Sequence, residues 1–191
     1  MALSLREIQE FYAVHLENRI FQYTLRGGQV IELVFHPENL CHLLGIQHII
    51  PHNKEYIGIR GYRKIQSGVL NLALLKKHDA VQYKRMRKRI VQFMRVADLL
   101  LNGSIYKFYF MRQKESQIRA DYIVYWHDEE QKNYKNLFLA QERVSIKNSN
   151  HTYTAISYTV LHEKEDYDRY IRSQEYKEVD SFQIIDHRYL W

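Results

Sequence analysis

The sequence predicts an α+β protein, with helices in its first half and an antiparallel sheet in its second half. Apolar residues recur at helical spacing before Ser104. After Ser104, four segments are rich in aromatic and β-branched residues. No repeat, low-complexity tract or convincing linker interrupts the chain, so residues 1–191 are expected to form a single domain.

The first elements have clear signals. Ser4 and Glu7 form a capping box, which predicts a helix that runs to about Asn18. Two β-favouring runs follow, residues 21–25 and 30–35, joined by an Arg-Gly-Gly segment. This arrangement predicts a β-hairpin.

The segment NLCHLLG, residues 39–45, follows the hairpin. Pro37 suits the first turn of a helix and Gly45 suits its end, so a short helix is predicted here. Its leucines share one face. At about 100° per residue, His42 lies on the opposite side, and Glu38, one turn earlier, lies on the same side as His42.

The middle of the chain is helical or irregular over residues 56–66 and 69–77. A long helix is then predicted from the apolar stripe between Met86 and Leu101, ending at Asn102-Gly103. Residues 104–112, 120–127, 135–142 and 152–161 predict about four antiparallel strands. A polar helix over 163–174 follows, and residues 182–186 are either a last strand or an ordered tail.

Composition narrows the class of protein. Lys and Arg number 28 against 22 Asp and Glu, a net charge of +6 that favours polyanionic partners such as nucleic acid. The single cysteine, Cys41, lies in an apolar run and is expected to be a small buried hydrophobe, which fits a reducing compartment. No signal peptide or membrane-spanning run is recognised, so we expect a cytoplasmic protein with no membrane partner.

Several familiar chemistries are poorly supported. The chain has no Walker-type loop, dinucleotide fingerprint, paired metal-binding cysteines or HExxH motif. His48 and His52 have helical spacing, but Pro51 lies between them and no third ligand is evident. We therefore expect neither a metal nor a cofactor.

Two features are candidates for function, and each has a structural alternative. His42 is a buried structural histidine, a metal ligand or a general acid/base, and Glu38 in the last case would orient the imidazole and raise its pKa. The basic segment of residues 84–89 either binds phosphates through counterion release or is a solvated helix face. Its cations are Lys84, Arg85, Arg87, Lys88 and Arg89.

The order of these features resembles a phage- and mobile-element-associated nuclease family. A leading helix, a strand ending in VFHPENLCHLLGI, the segment IRGYRKIQSGVL, a basic helix and the late strands carry the resemblance from about Leu5 to about Val179. Residues 180–191 are then a carboxy-terminal tail or edge strand. The most specific part is a strand followed by N-x-x-H-L-x-G, here Asn39, His42, Leu43 and Gly45.

The family is grouped with the Barnase, EndoU, colicin and RelE-like ribonucleases, the BECR fold. The resemblance implies an amino-terminal helical region packed on a small antiparallel β-sheet, with a toxin-type, metal-independent endoribonuclease site that needs no cofactor. It matches His42 as the acid/base and Ser157 as a hydroxyl on a late strand. Arg60 and Lys64 are the nearest matches for a basic helper.

The implied substrate is RNA, with tRNA as one candidate, and an immunity protein is an implied partner. Two other functions stay open: a non-catalytic nucleic-acid-binding module, and a phage-encoded inhibitor that binds a host protein. Ser157 and Thr159 then only decorate a solvated strand face, and Arg60 and Lys64 are a surface pair.

Overall fold

The computed structural model describes residues 3–112, 118–142, 152–161 and 170–186. Over these ranges the chain divides into two units. The helical unit comprises residues 3–18 and 35–95, and the sheet unit comprises residues 19–34 and the described part of 96–186.

The helical unit begins with α1, Leu5–Tyr12. Its capping box is formed, because the Glu7 N–H donates to Ser4 Oγ over 3.1 Å and the Ser4 N–H donates to the Glu7 carboxylate over 2.7 Å. A π-helical turn, Ala13–Glu17, continues the helix. The predicted first helix is therefore confirmed in both its start and its length.

Five further helices build this unit, and short 3-10 turns lie between several of them. They are α2, Leu40–Leu43; α3, Ile46–Ile49; α4, Gly58–Gln66; α5, Leu72–His78; and α6, Ala80–Val91. The 3-10 turns are Pro37–Asn39, Lys54–Tyr56 and Phe93–Arg95.

The prediction of one continuous long basic helix is wrong. The chain leaves helical geometry at Gln92, and a separate helix of the sheet unit, α7, then spans Val96–Asn102. Apolar residues continue across this break, because Ile90, Phe93 and Val96 are all buried. The residue pattern therefore does not reveal it. The predicted stop is confirmed, and a Cβ at Gly103 would lie only 2.4 Å from the Leu99 carbonyl oxygen.

The sheet unit contains eight strands in one sheet. They are β1, Arg19–Leu25; β2, Val30–Val34; β3, Ser104–Lys107; β4, Tyr122–Asp128; β5, Asn133–Gln141; β6, Thr152–Leu161; β7, Glu175–Lys177; and β8, Val179–Asp186. Their spatial order is β7-β3-β4-β5-β6-β2-β1-β8. The pairing of β2 with β6 is parallel, and the other pairings in this order are antiparallel.

This sheet nearly closes into a barrel. Its two edge strands, β7 and β8, are separated along the chain by Glu178 alone, so the two edges must lie close together. The Arg26 N–H donates to the Glu178 carbonyl oxygen over 2.8 Å, and the two side chains form an ion pair. The predicted small antiparallel sheet of about four strands is therefore wrong: the sheet is large and mixed.

The positions of the individual strands were largely predicted, but the way in which they pair in the sheet was not. The hairpin of β1 and β2 is confirmed, with Phe21 opposite Leu33, and each of β3 to β6 overlaps one of the four predicted strand segments. Residues 182–186 belong to edge strand β8. Most of the predicted polar helix, residues 163–169, lies outside the described residues. Within the described ranges, no helix is both long enough and apolar enough to cross a bilayer.

Candidate active site

The predicted short helix around His42 is confirmed. The 3-10 turn Pro37–Asn39 leads into α2, and Gly45 separates α2 from α3. The leucines at positions 40, 43 and 44 are fully buried, whereas the His42 side chain is exposed. Helical geometry therefore places this imidazole away from the core.

Gly45 is required by both conformation and space. Its φ of +76° lies in the left-handed region, which side chains other than glycine rarely adopt. A Cβ at this position would also lie 2.8 Å from Met86 Sδ. Helix α6 therefore packs directly against the turn that follows His42.

Arg89 of α6 holds the end of α2. Its Nη2 donates to the His42 carbonyl oxygen over 2.7 Å, and its Nε donates to the Leu43 carbonyl oxygen over 2.5 Å. The last carbonyls of a helix have no partner within it, and the guanidinium supplies one to the Leu43 carbonyl. The His42 carbonyl also accepts from the Gly45 N–H over 3.0 Å. Its positive charge is thereby fixed beside His42.

His48 lies in the same cluster. The Nε2 of Gln47 is 3.3 Å from His48 Nε2 and 3.5 Å from the His42 carbonyl oxygen. The turn at Gly45 thus gathers two imidazoles and one guanidinium. Sequence reasoning considered His48 only as a metal ligand with His52; its position just after a predicted helix-ending glycine was the signal that it missed. In the part of the chain that the structure describes, no three His, Cys, Asp or Glu residues form a metal-binding group.

The cluster lowers the pKa of both histidines. Partial burial lowers the pKa of His42 most, and electrostatic interactions with Arg89 and His48 lower it further. Burial and Arg89 also lower the pKa of His48. The predicted rise in the pKa of His42 caused by Glu38 is therefore wrong, because loss of solvent and nearby cations determine the shift.

Arg60 and Lys64 lie on α4 and share one partner. Arg60 Nη1 lies 2.8 Å from one oxygen of Glu55, and Lys64 Nζ lies 3.1 Å from the other. Helix α4 packs against α2, since a Cβ at Gly61 would lie 2.6 Å from Cys41 Sγ. Cys41 is buried, as predicted, and burial raises the pKa of its thiol to about 12.

Positive charge is concentrated in the helical unit. Residues 1–18 and 35–95 carry thirteen Lys and Arg against six Asp and Glu, whereas the rest of the chain carries fifteen against sixteen. On α6, the side chains of Lys84, Arg85, Arg87 and Lys88 are exposed. Arg89 is half-buried. A surface of this kind attracts polyanions at long range.

Ser157 belongs to the sheet unit. It lies on β6 opposite Phe138 of β5 and is 8% exposed, so it does not decorate a solvated face. On the same face, the Asn136 amide donates to Thr159 Oγ1 over 3.2 Å. The Oδ1 of Asn136 is buried and finds no hydrogen-bond partner among the described residues. Phe138 packs with other aromatic rings, as expected for strand aromatics.

A protein-family model identifies the class. The model described as phage-Barnase-EndoU-ColicinE5/D-RelE like nuclease4, PBECR4, matches residues 4–191. The match covers nearly the whole chain and places the protein among the nucleases. The chain belongs to the PBECR4 family. No curated protein and no solved structure matches it.

Proposed function

We propose that this nuclease is a metal-independent endoribonuclease of toxin type in which His42 exchanges protons with RNA. One observation carries the proposal: the exposed imidazole of His42 lies on a turn that Arg89 holds by two hydrogen bonds. A proton-transfer group and a fixed cation are thus adjacent, as cleavage of a phosphodiester requires.

The chemistry uses the 2′-hydroxyl of the RNA itself. A base takes the proton of this hydroxyl, the 2′-oxygen forms a bond to phosphorus, and the bond from phosphorus to the 5′-oxygen breaks. The departing 5′-oxygen receives a proton, so the products carry a cyclic phosphate, or a 3′-phosphate after hydrolysis, and a 5′-hydroxyl. Because the pKa of His42 is lowered, its imidazole is neutral and able to accept a proton at pH 7.

Helix α6 would hold the RNA backbone. Arg85 precedes Arg89 by one helical turn and lies about 40° from it around the helix, whereas Arg87 lies about 160° away. The row of Arg85 and Arg89 therefore leads towards His42. Neutralised phosphates along this row would contribute affinity through released counterions.

The proposal gives roles to three further residues, Ser157, Arg60 and Lys64. Ser157 would position the scissile phosphate. Arg60 or Lys64 would supply the helper cation, and whichever acts must exchange Glu55 for phosphate. Replacement of Ser157 by Ala tests the first role: a raised KM supports it, and unchanged kinetics remove Ser157 from the site.

The test of catalysis is RNA cleavage by the purified protein in the presence of a chelator. Wild type and the matched variant His78→Ala, which removes an exposed histidine of the same unit, are expected to release cyclic-phosphate ends. His42→Ala is expected to be at least about 100-fold slower, the lower range for loss of a general acid or base. Equal cleavage by His42→Ala refutes its role, and activity that returns only with added Mg²⁺ or Mn²⁺ refutes metal independence.

A second function is favoured by the exposed cations of α6. A chain that binds RNA without cutting it would use the same basic surface. Tight, salt-sensitive binding by wild type, with no cleavage under any condition, would select this function.

A further inference from the structure

We propose that His48 acts as a neutral hydrogen-bond donor to the reacting phosphate, through its Nδ1–H, and that Gln47 positions it for this role. The inference rests on the proposed RNA cleavage and adds a catalytic residue to it. It also assigns His48 a task different from that of His42, which exchanges protons.

The Gln47 amide directs its NH₂ at two neighbouring groups. In the structure, Gln47 Nε2 lies 3.5 Å from the His42 carbonyl oxygen, which is an acceptor, so the NH₂ of the amide faces this oxygen. The same NH₂ lies 3.3 Å from His48 Nε2. His48 Nε2 must therefore accept this hydrogen bond, and it carries no hydrogen.

The tautomer of His48 follows. A neutral imidazole carries one hydrogen, and with Nε2 as acceptor this hydrogen lies on Nδ1. Among the described residues, Nδ1 has no hydrogen-bond partner, and the side chain is exposed. An Nδ1–H on this exposed side chain, which is within electrostatic reach of Arg89, can donate to a non-bridging phosphate oxygen.

The surroundings of His48 oppose its protonation. Arg89 of α6 places positive charge near it, and α5, which also packs against α3, carries Lys76, Lys77 and His78. Burial and Arg89 lower the pKa of His48. A proton on Nε2 would also point at the Gln47 NH₂. His48 therefore stays neutral, and its donor acts without breaking a bond to hydrogen.

This role is electrostatic. Charge accumulates on the non-bridging oxygens as the 2′-oxygen attacks, and a preorganised donor stabilises that charge. Removal of one such donor typically lowers kcat by about 100-fold or more. The pH dependence set by His42 is expected to keep its shape, because His48 does not titrate in the reaction.

Two amide variants of His48 distinguish the roles of its two ring nitrogens, Nδ1 and Nε2. The amide of Asn occupies the position of Nδ1, whereas the amide of Gln reaches the position of Nε2. His48→Asn is expected to keep kcat within about tenfold of wild type, while His48→Gln and His48→Ala lose about 100-fold. Equal losses in His48→Asn and His48→Gln would overturn the assignment to Nδ1.

Gln47→Glu gives the decisive comparison. A carboxylate beside Nε2 accepts a proton there, which moves the hydrogen away from Nδ1 and raises the pKa of His48. If His48 is a donor, kcat of Gln47→Glu falls at alkaline pH and recovers at acid pH, where the doubly protonated ring again carries Nδ1–H. If His48 is instead a general base, the carboxylate increases kcat, and that result overturns the inference.

A measurement without RNA separates this inference from the proposed function. In long-range ¹H–¹⁵N spectra of the wild-type protein at pH 7.5, His48 is expected to show a protonated Nδ1 and an unprotonated Nε2. The opposite tautomer refutes the role of Gln47 even if RNA is cleaved. The expected tautomer, in a protein that does not cleave RNA, refutes the proposed function and with it the catalytic role of His48.

Discussion

Replacement of Gly45 by Ala tests the packing that fixes His42. A side chain at a left-handed φ costs about 1–2 kcal/mol, which applies here because φ is +76°. The new Cβ would also lie 2.8 Å from Met86 Sδ, and overpacking of this kind adds about 1 kcal/mol when the neighbour is a flexible side chain. Gly45→Ala is therefore expected to lower the free energy of unfolding by about 2–3 kcal/mol.

Gly68 is the matched control. Its φ is +79°, and no atom lies within 4 Å of the position that its Cβ would take. Gly68→Ala is expected to cost about 1–2 kcal/mol, from conformation alone. Urea unfolding followed by circular dichroism at 222 nm compares the two, and Met86→Ala should reduce the cost of Gly45→Ala to that of Gly68→Ala. Equal costs for the two glycines in the wild-type background would refute contact between α6 and the turn.

Three further predictions concern cations. Arg85→Gln should reduce the salt dependence of RNA binding, measured by fluorescence anisotropy, by about 0.7 in slope for each lost phosphate contact; Arg87→Gln should leave it unchanged, and equal slopes in both variants contradict the proposed path. Arg89→Gln should raise the pKa of both nearby histidines, because a positive charge is lost, and move the acid limb of cleavage to higher pH; Arg89→Lys keeps the charge and should not. Lys135→Met should lower the free energy of unfolding by about 3–5 kcal/mol, because the buried carboxylate of Asp128, 2.6 Å from Lys135 Nζ, then loses this cation. Lys132→Met, at an exposed position, is the control in urea unfolding.

Local geometry was predictable from the sequence. The capping box of Ser4 fixes where α1 starts, and residue spacing alone placed His42 opposite the leucines. Gly45 was predicted to end a helix, and its left-handed φ agrees. These features depend on residues within one or two turns of each other, so the sequence order contains the needed information.

Features that depend on distant residues were not predictable. The pairing of Leu33 with Tyr153 joins the first hairpin to the late strands in parallel, and no local pattern signals such a partner. The same limit applies to the site. Arg89 looked like one of several equivalent cations, but its contact with the His42 carbonyl distinguishes it from Arg87.

The cations around His42 also predict how RNA changes its chemistry. In the free protein, partial burial lowers the pKa of His42 most and Arg89 lowers it further, which favours the neutral form that accepts a proton. A bound phosphate brings negative charge to the same place and offsets the guanidinium, so the pKa of His42 should rise in the complex. The dependence of kcat/KM on pH reports the free protein, and that of kcat reports the complex. The acid limb of kcat should therefore lie at higher pH than the acid limb of kcat/KM. If the two limbs coincide, or if their order is reversed, the phosphate does not bind beside Arg89, and His42 does not act on it there.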